Sequence, residues 1–163
     1  MVYNVTTIDY VINDHKFVKE NTEHVGASMN DIQALSNLQW TLGSAGALIK
    51  RREDLQQTLT VLEEGLLIHF GYEEKMLPPL FGRVLMLALR FEHQEIKQAI
   101  DEVKSVAFGD WPKGMSQEEL LSRGTGIQEV ISRLCQLIKG HLKRENIILK
   151  MMKRALEEGN QYH

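Results

Sequence analysis

Four stretches of this chain place an apolar residue at alternating steps of three and four, a spacing that suits one face of a packed α-helix. The first runs Ile8, Val11, His15, Val18, Thr22, Val25, Met29 and Ile32, and the second Leu55, Leu59, Leu62, Leu66, His69, Glu73 and Met76. The third is Met86, Leu89, His93, Ile96, Ile100, Val103 and Ala107. The fourth is Ile127, Ile131, Leu134, Ile138, His141, Glu145, Ile148, Met152 and Ala155. A repeat of about 3.5 residues keeps one seam of a helix turned toward its neighbours in a left-handed bundle. Four such seams with short connections predict an all-α fold, an antiparallel up-down four-helix bundle.

Prolines and glycines punctuate the seams. Only Pro78, Pro79 and Pro112 occur in 163 residues, so little interrupts long helices. Pro78-Pro79 followed by Gly82 ends one helix and starts another, and Gly109 to Gly114 reads as a loop. Ser116 and Glu119 then form a capping-box pattern, and Gly159 is a stop signal. A softer break lies at Gly43 to Gly46. The predicted helices span about 7–42, 45–78, 82–107 and 116–158, in one domain over 1–163. A net charge of -3 gives no basic excess for nucleic acid. The longest apolar run, Val84 to Leu89, is too short to span a membrane. The single cysteine, Cys135, allows neither a disulfide framework nor a cysteine-based zinc site. With no basic and apolar leader at the start, the expected setting is cytoplasmic.

What interrupts the seams is informative. His15, His69, His93 and His141 all occupy seam positions, as do Glu73 and Glu145, each one turn after a histidine on the same helix face. Buried imidazoles and carboxylates are costly unless paired. One solution is a dry polar network, but two carboxylates offer few partners for four imidazoles. The other is a metal pair, with two histidine nitrogens on each ion and both glutamates as bridges. In an antiparallel bundle the four histidines, early in the first and third helices and late in the second and fourth, share one end. Mixed imidazole and carboxylate ligands suit iron, manganese or zinc. With about four protein ligands per ion, octahedral iron keeps places for a bridging oxygen and an exogenous small molecule.

The order His15, His69-x-x-x-Glu73, His93, His141-x-x-x-Glu145 resembles the hemerythrin-like HHE cation-binding domains, over about Thr7 to Glu157. The resemblance implies that these six residues hold two iron ions in a non-haem, oxo- or hydroxo-bridged centre, with Glu73 and Glu145 as bridges. The oxygen-carrying members have a fifth histidine one turn after the third-helix histidine, where this chain has Lys97. They end in HxxxxD, where this chain has Glu145 at the fourth place and Asn146 at the fifth. The pattern is closer to the four-histidine, two-glutamate branch, which is similar to bacterial repair-of-iron-centres proteins and to the iron-sensing domain of an F-box protein. One iron short of an imidazole is more open. The implied function is to bind, sense or react with a small ligand: oxygen, nitric oxide or peroxide. A non-catalytic iron or redox sensor or iron-delivery module is the rival. A metal-free interaction bundle would leave the seam histidines and glutamates uncompensated.

Other residues are weighed against plainer roles. His24 is one step off the seam and reads as a surface residue, and His163 is terminal. Tyr72, between His69 and Glu73, could offer a hydroxyl behind the ligands or pack as a helix-flank ring. Lys97 could reach toward the open metal position or snorkel to solvent. Gly65, Gly71 and Gly140 allow either close helix packing or room beside the metals. Cys135 reads as an inert buried thiol, and Lys50-Arg51-Arg52-Glu53-Asp54 as a solvated helix face.

Overall fold

The computed structural model describes the backbone of residues 2–37, 44–110, 112 and 114–159. They form four helices, α1 (Val2–Asn37), α2 (Ser44–Met76), α3 (Pro78–Phe108) and α4 (Gln117–Gly159). No strand occurs among the described residues. Helix α1 packs on α2 and α4, and α3 on α4 and α2, which closes a four-sided bundle. No described helix is long and apolar enough to cross a membrane.

Helix boundaries differ from the predicted ones where local chemistry decides them. Helix α1 starts at Val2, ahead of residue 7, and its expected stretch 38–42 lies outside the described residues. No wide gap separates α2 from α3: Leu77 alone joins them, its N–H donating to the Glu73 carbonyl at 2.9 Å. Pro78 and Pro79 fill the first turn of α3, where a missing N–H costs nothing. The backbone break comes at Gly82, with φ 65° and ψ -179°, a left-handed value that disfavours any residue with a Cβ. At the start of α4 the capping box forms: the Ser116 N–H donates to Glu119 Oε2 at 2.7 Å, and the Glu119 N–H to Ser116 Oγ at 3.2 Å. Arg52, expected on a solvated face, instead caps the end of α3. Its guanidinium donates to the carbonyls of Ala107 and Gly109, both at 2.9 Å, which a helix C-terminus leaves unpaired.

The seams are buried as predicted through most of their length. Two slip by one residue. Leu77 is buried in place of Met76, and Leu149 in place of Ile148, while Met152 is partly buried and Ala155 exposed. A strict seven-residue repeat drifts about 20° per heptad around a straight helix. Leu77 lies about five whole turns beyond Leu59, and Leu149 about five beyond Ile131. Both therefore return to the inner face where the seam residue has rotated off it. The side chain of Ile32 is outside the described set.

The apolar interior divides in two. A large cluster includes Val18, Leu59, Leu66, Phe70, Ile96, Val103, Leu134 and Ile138. A smaller one holds Ile8, Val11, Leu77, Phe81, Met86, Leu89 and Leu149. Each fully buried leucine or isoleucine contributes roughly 1.5–3 kcal/mol. His15, His69, Glu73, His93, His141 and Glu145 are buried at sequence positions between the two sets, so an ionisable layer interrupts an otherwise apolar core.

Candidate metal centre

Each helix brings its histidine to this layer, and α2 and α4 add a glutamate one turn later. The four rings fall into two couples, His15 with His69 at 4.9 Å between centroids and His93 with His141 at 5.1 Å. Glu73 serves both couples. Its Oε1 lies 2.7 Å from His69 Nε2 and 3.4 Å from His15 Nε2, and its Oε2 lies 3.1 Å from His93 Nε2. Glu145 Oε2 stands between His15 Nε2 at 3.3 Å and His141 Nε2 at 3.4 Å. Among the described residues two sets of atoms are close enough to share an ion: His15, His69, Glu73 and Glu145, and Glu73, His93 and His141.

The donor atoms point inward with little to hold them. His69 Nε2, His93 Nε2, His141 Nε2, Glu73 Oε2 and both Glu145 oxygens are buried and make no hydrogen bond. Such atoms cost about 1–3 kcal/mol each when left unsatisfied, and more when charged. A cation among them would satisfy them all, so the residues present fit a metal.

The outward nitrogens are all engaged. His15 Nδ1 donates to Asn146 Oδ1 at 2.9 Å, and His69 Nδ1 to Asp14 Oδ2 at 2.7 Å. His93 Nδ1 donates to Glu74 Oε1 at 2.9 Å, and His141 Nδ1 to Glu92 Oε2 at 3.0 Å. A carboxylate can only accept, so each of those three fixes the proton on Nδ1 and turns the Nε2 lone pair inward. The pattern is cyclic: α1 supports the histidine of α2, α2 that of α3, α3 that of α4, and α4 that of α1. Sequence reading missed this ring of supports. Its signal was adjacency, since Asp14, Glu74, Glu92 and Asn146 each neighbour a ligand-layer residue in the chain. The supported histidine, however, belongs to the next helix.

Electrostatics treat the two carboxylates of the layer differently. Burial disfavours charge on His15, but Glu145 and Glu73 outweigh it and raise the imidazole from 6.5 to about 10. His69 is likewise raised, chiefly by Glu73 against the cost of burial. Burial also acts against the Glu73 carboxylate, yet His15, His69 and His93 hold it well below the ordinary range. Glu145 goes the other way, pushed up by burial and by the nearby Glu73 charge. Two carboxylates in one buried layer thus separate, one charged and one driven toward its acid form. Outside the layer, hydrogen bonds from His141 and Arg144 bring Glu92 down to about 2.

The remaining candidates lie elsewhere. The Lys97 ammonium sits 5.8 Å from the Phe70 ring centroid and makes no ion pair with Glu73 or Glu145. Phe70 itself stacks on His93 at 3.8 Å and meets His141 edge-on at 5.7 Å, a neighbour that the sequence reading did not single out. The Tyr72 ring pairs with Tyr10 at 4.3 Å, packed against the smaller apolar cluster. His24 is exposed. Gly65 faces Phe17, where a Cβ would come within 2.8 Å, so its smallness serves helix packing. Gly71 meets nothing, and Gly140 lies against Arg144. Burial raises the Cys135 thiol, which contacts the Thr22 carbonyl at 3.7 Å.

The hemerythrin HHE cation-binding domain model matches residues 6–152 of this chain. No curated protein and no solved structure gives a significant match.

Proposed function

The chain belongs to the hemerythrin HHE cation-binding domain family, and from that premise we propose that it holds two iron ions and binds or reacts with oxygen, nitric oxide or peroxide. His15 and His69 would hold one ion and His93 and His141 the other, with Glu73 and Glu145, each near histidines of both couples, as bridges. The observation that carries this reading is the convergence of unsatisfied, buried nitrogen and oxygen atoms in one layer. Iron there would supply a ferrous–ferric couple for reaction with a small ligand. The chain supplies the rest. Asp14, Glu74 and Glu92 orient three imidazoles, and the apolar clusters on either side keep bulk water from the layer.

Open positions support a small exogenous ligand. With both glutamates shared, each ion would have four protein ligands, so an octahedral ion keeps positions free. Lys97, in the place of a fifth histidine, is directed over Phe70. Between α3 and α4 a pocket of about 180 Å³ is lined by Phe81, Leu85, Ala88, Leu89 and Ile148, with Glu92, Arg144 and Glu145 in its wall. Pockets for drug-sized molecules begin near 300 Å³. A pocket smaller than that suits a diatomic on its apolar side, and its charged wall offers hydrogen-bond partners to a peroxide.

The test is metal analysis of protein purified with iron, with electronic spectra before and after nitric oxide or peroxide. The expected result is two irons per chain and ferric charge-transfer bands that either reagent changes. One iron or none, or bands indifferent to both reagents, would refute the reading.

A further inference from the structure

Where α1 meets α4, lysines gather without matching acids. Lys16 and Lys19 of α1 face Lys139, Lys143 and Lys150 of α4 across a groove of about 540 Å³. All five are exposed. Glu23 is the one carboxylate in the lining, and it reaches Lys19 at 3.9 Å. Among the described residues no ion pair holds the other four lysines. The whole chain carries a net charge of -3, so this cationic groove runs against the overall balance. Like charges one turn apart, as at Lys139 and Lys143, destabilise a helix slightly. Their clustering calls for countercharge from outside. The floor is different: Ile12 and Leu142 are apolar, and His15 and Asn146 complete it.

We propose that this groove docks the acidic face of a partner protein, with carboxylates on the lysine rim and an apolar side chain on Ile12 and Leu142. An apolar centre inside a polar rim is the ordinary anatomy of a protein interface. Length argues against a small anion. Lys139 to Lys150 spans about 16 Å of helix at 1.5 Å per residue, so one phosphate would reach only part of the rim. Composition argues against nucleic acid: the lining has no arginine to fork onto phosphate, and its one aromatic ring, the His15 imidazole, is buried and held by Asn146, so it offers no open face to a base. A partner seated there lies against the outer side of His15 and Asn146, the one support in the ligand layer made by an amide. Opposite charges across such a rim speed encounter and make it salt-dependent. The docking stands whether or not the buried layer carries iron.

The test titrates the full chain at low ionic strength with a fluorescent oligo-glutamate peptide long enough to span Lys139 to Lys150. Fluorescence anisotropy reads the binding. The double variant Lys16→Glu with Lys143→Glu is expected to weaken binding by about tenfold or more and to flatten its salt dependence. The control Lys75→Glu with Arg83→Glu makes the same charge change at exposed positions outside the groove and should leave affinity within about twofold. Circular dichroism confirms that both variants fold. A peptide alternating glutamate with leucine should bind more tightly than oligo-glutamate of equal length, because of the apolar floor. Equal weakening by the two double variants would overturn the proposal. So would inorganic phosphate binding as tightly as the peptide, single-stranded DNA binding more tightly than either peptide, or no gain from leucine.

Discussion

Raising the pH of the metal-free protein from 7 to 9 should destabilise it through His15. The folded imidazole titrates near 10 against an ordinary 6.5. The stabilisation this brings is complete below 6.5 and disappears as pH rises through 10. Between those limits His15 holds in the folded state a proton that it loses on unfolding, so its contribution to the unfolding free energy falls by about 1.4 kcal/mol per pH unit. Over two units the loss is about 3 kcal/mol, which belongs jointly to His15 and its two carboxylates. For a protein of this size it lowers the melting temperature by roughly 6–12 °C. A metal that takes the His15 Nε2 lone pair removes the proton and with it the slope, so the loaded protein should melt at a nearly constant temperature. Melting followed by far-ultraviolet circular dichroism, with and without iron, reads both curves, and His15→Gln should make the metal-free one less steep. A metal-free midpoint that stays constant, or a loaded midpoint that falls in parallel, would refute the linkage.

Glu73→Ala removes the carboxylate common to both donor groups and should reduce iron to one ion or none per chain, whereas His24→Ala at an exposed position should leave it unchanged; metal analysis reads both. Alanine at Asp14, Glu74 or Glu92 frees an imidazole to turn and should weaken metal affinity by about 10–100-fold, measured by competition with a chelator. Gly82→Ala meets no neighbouring atom but forces a side chain onto a positive-φ, extended-ψ backbone, and should cost about 1–3 kcal/mol in chemical denaturation without changing metal content. Phe70→Ala should cost about 3–5 kcal/mol in the same assay by opening a cavity beside His93.

The bundle was legible because helix packing is periodic. Apolar residues at steps of three and four identify the inner face without knowledge of the partner helices. The same periodicity exposed His15, His69, His93, His141, Glu73 and Glu145 as ionisable residues on buried positions. Capping at Ser116 was readable for a similar reason, since donor and acceptor lie within one turn. Contacts between helices were not readable in this way. That Asp14 supports His69 while its neighbour His15 turns to Asn146 depends on how four helices are rotated about their axes, and no local rule fixes that rotation. The slip from Met76 to Leu77 is the same effect within one helix, a small angular drift that changes which residue is buried once summed over several turns. Lys97 and Phe70 show it at the site: sequence placed the lysine one turn beyond His93, but only packing could set an aromatic ring from another helix against that histidine. Residue type and period determined which groups could meet, and the rigid-body arrangement of the helices decided which of them do.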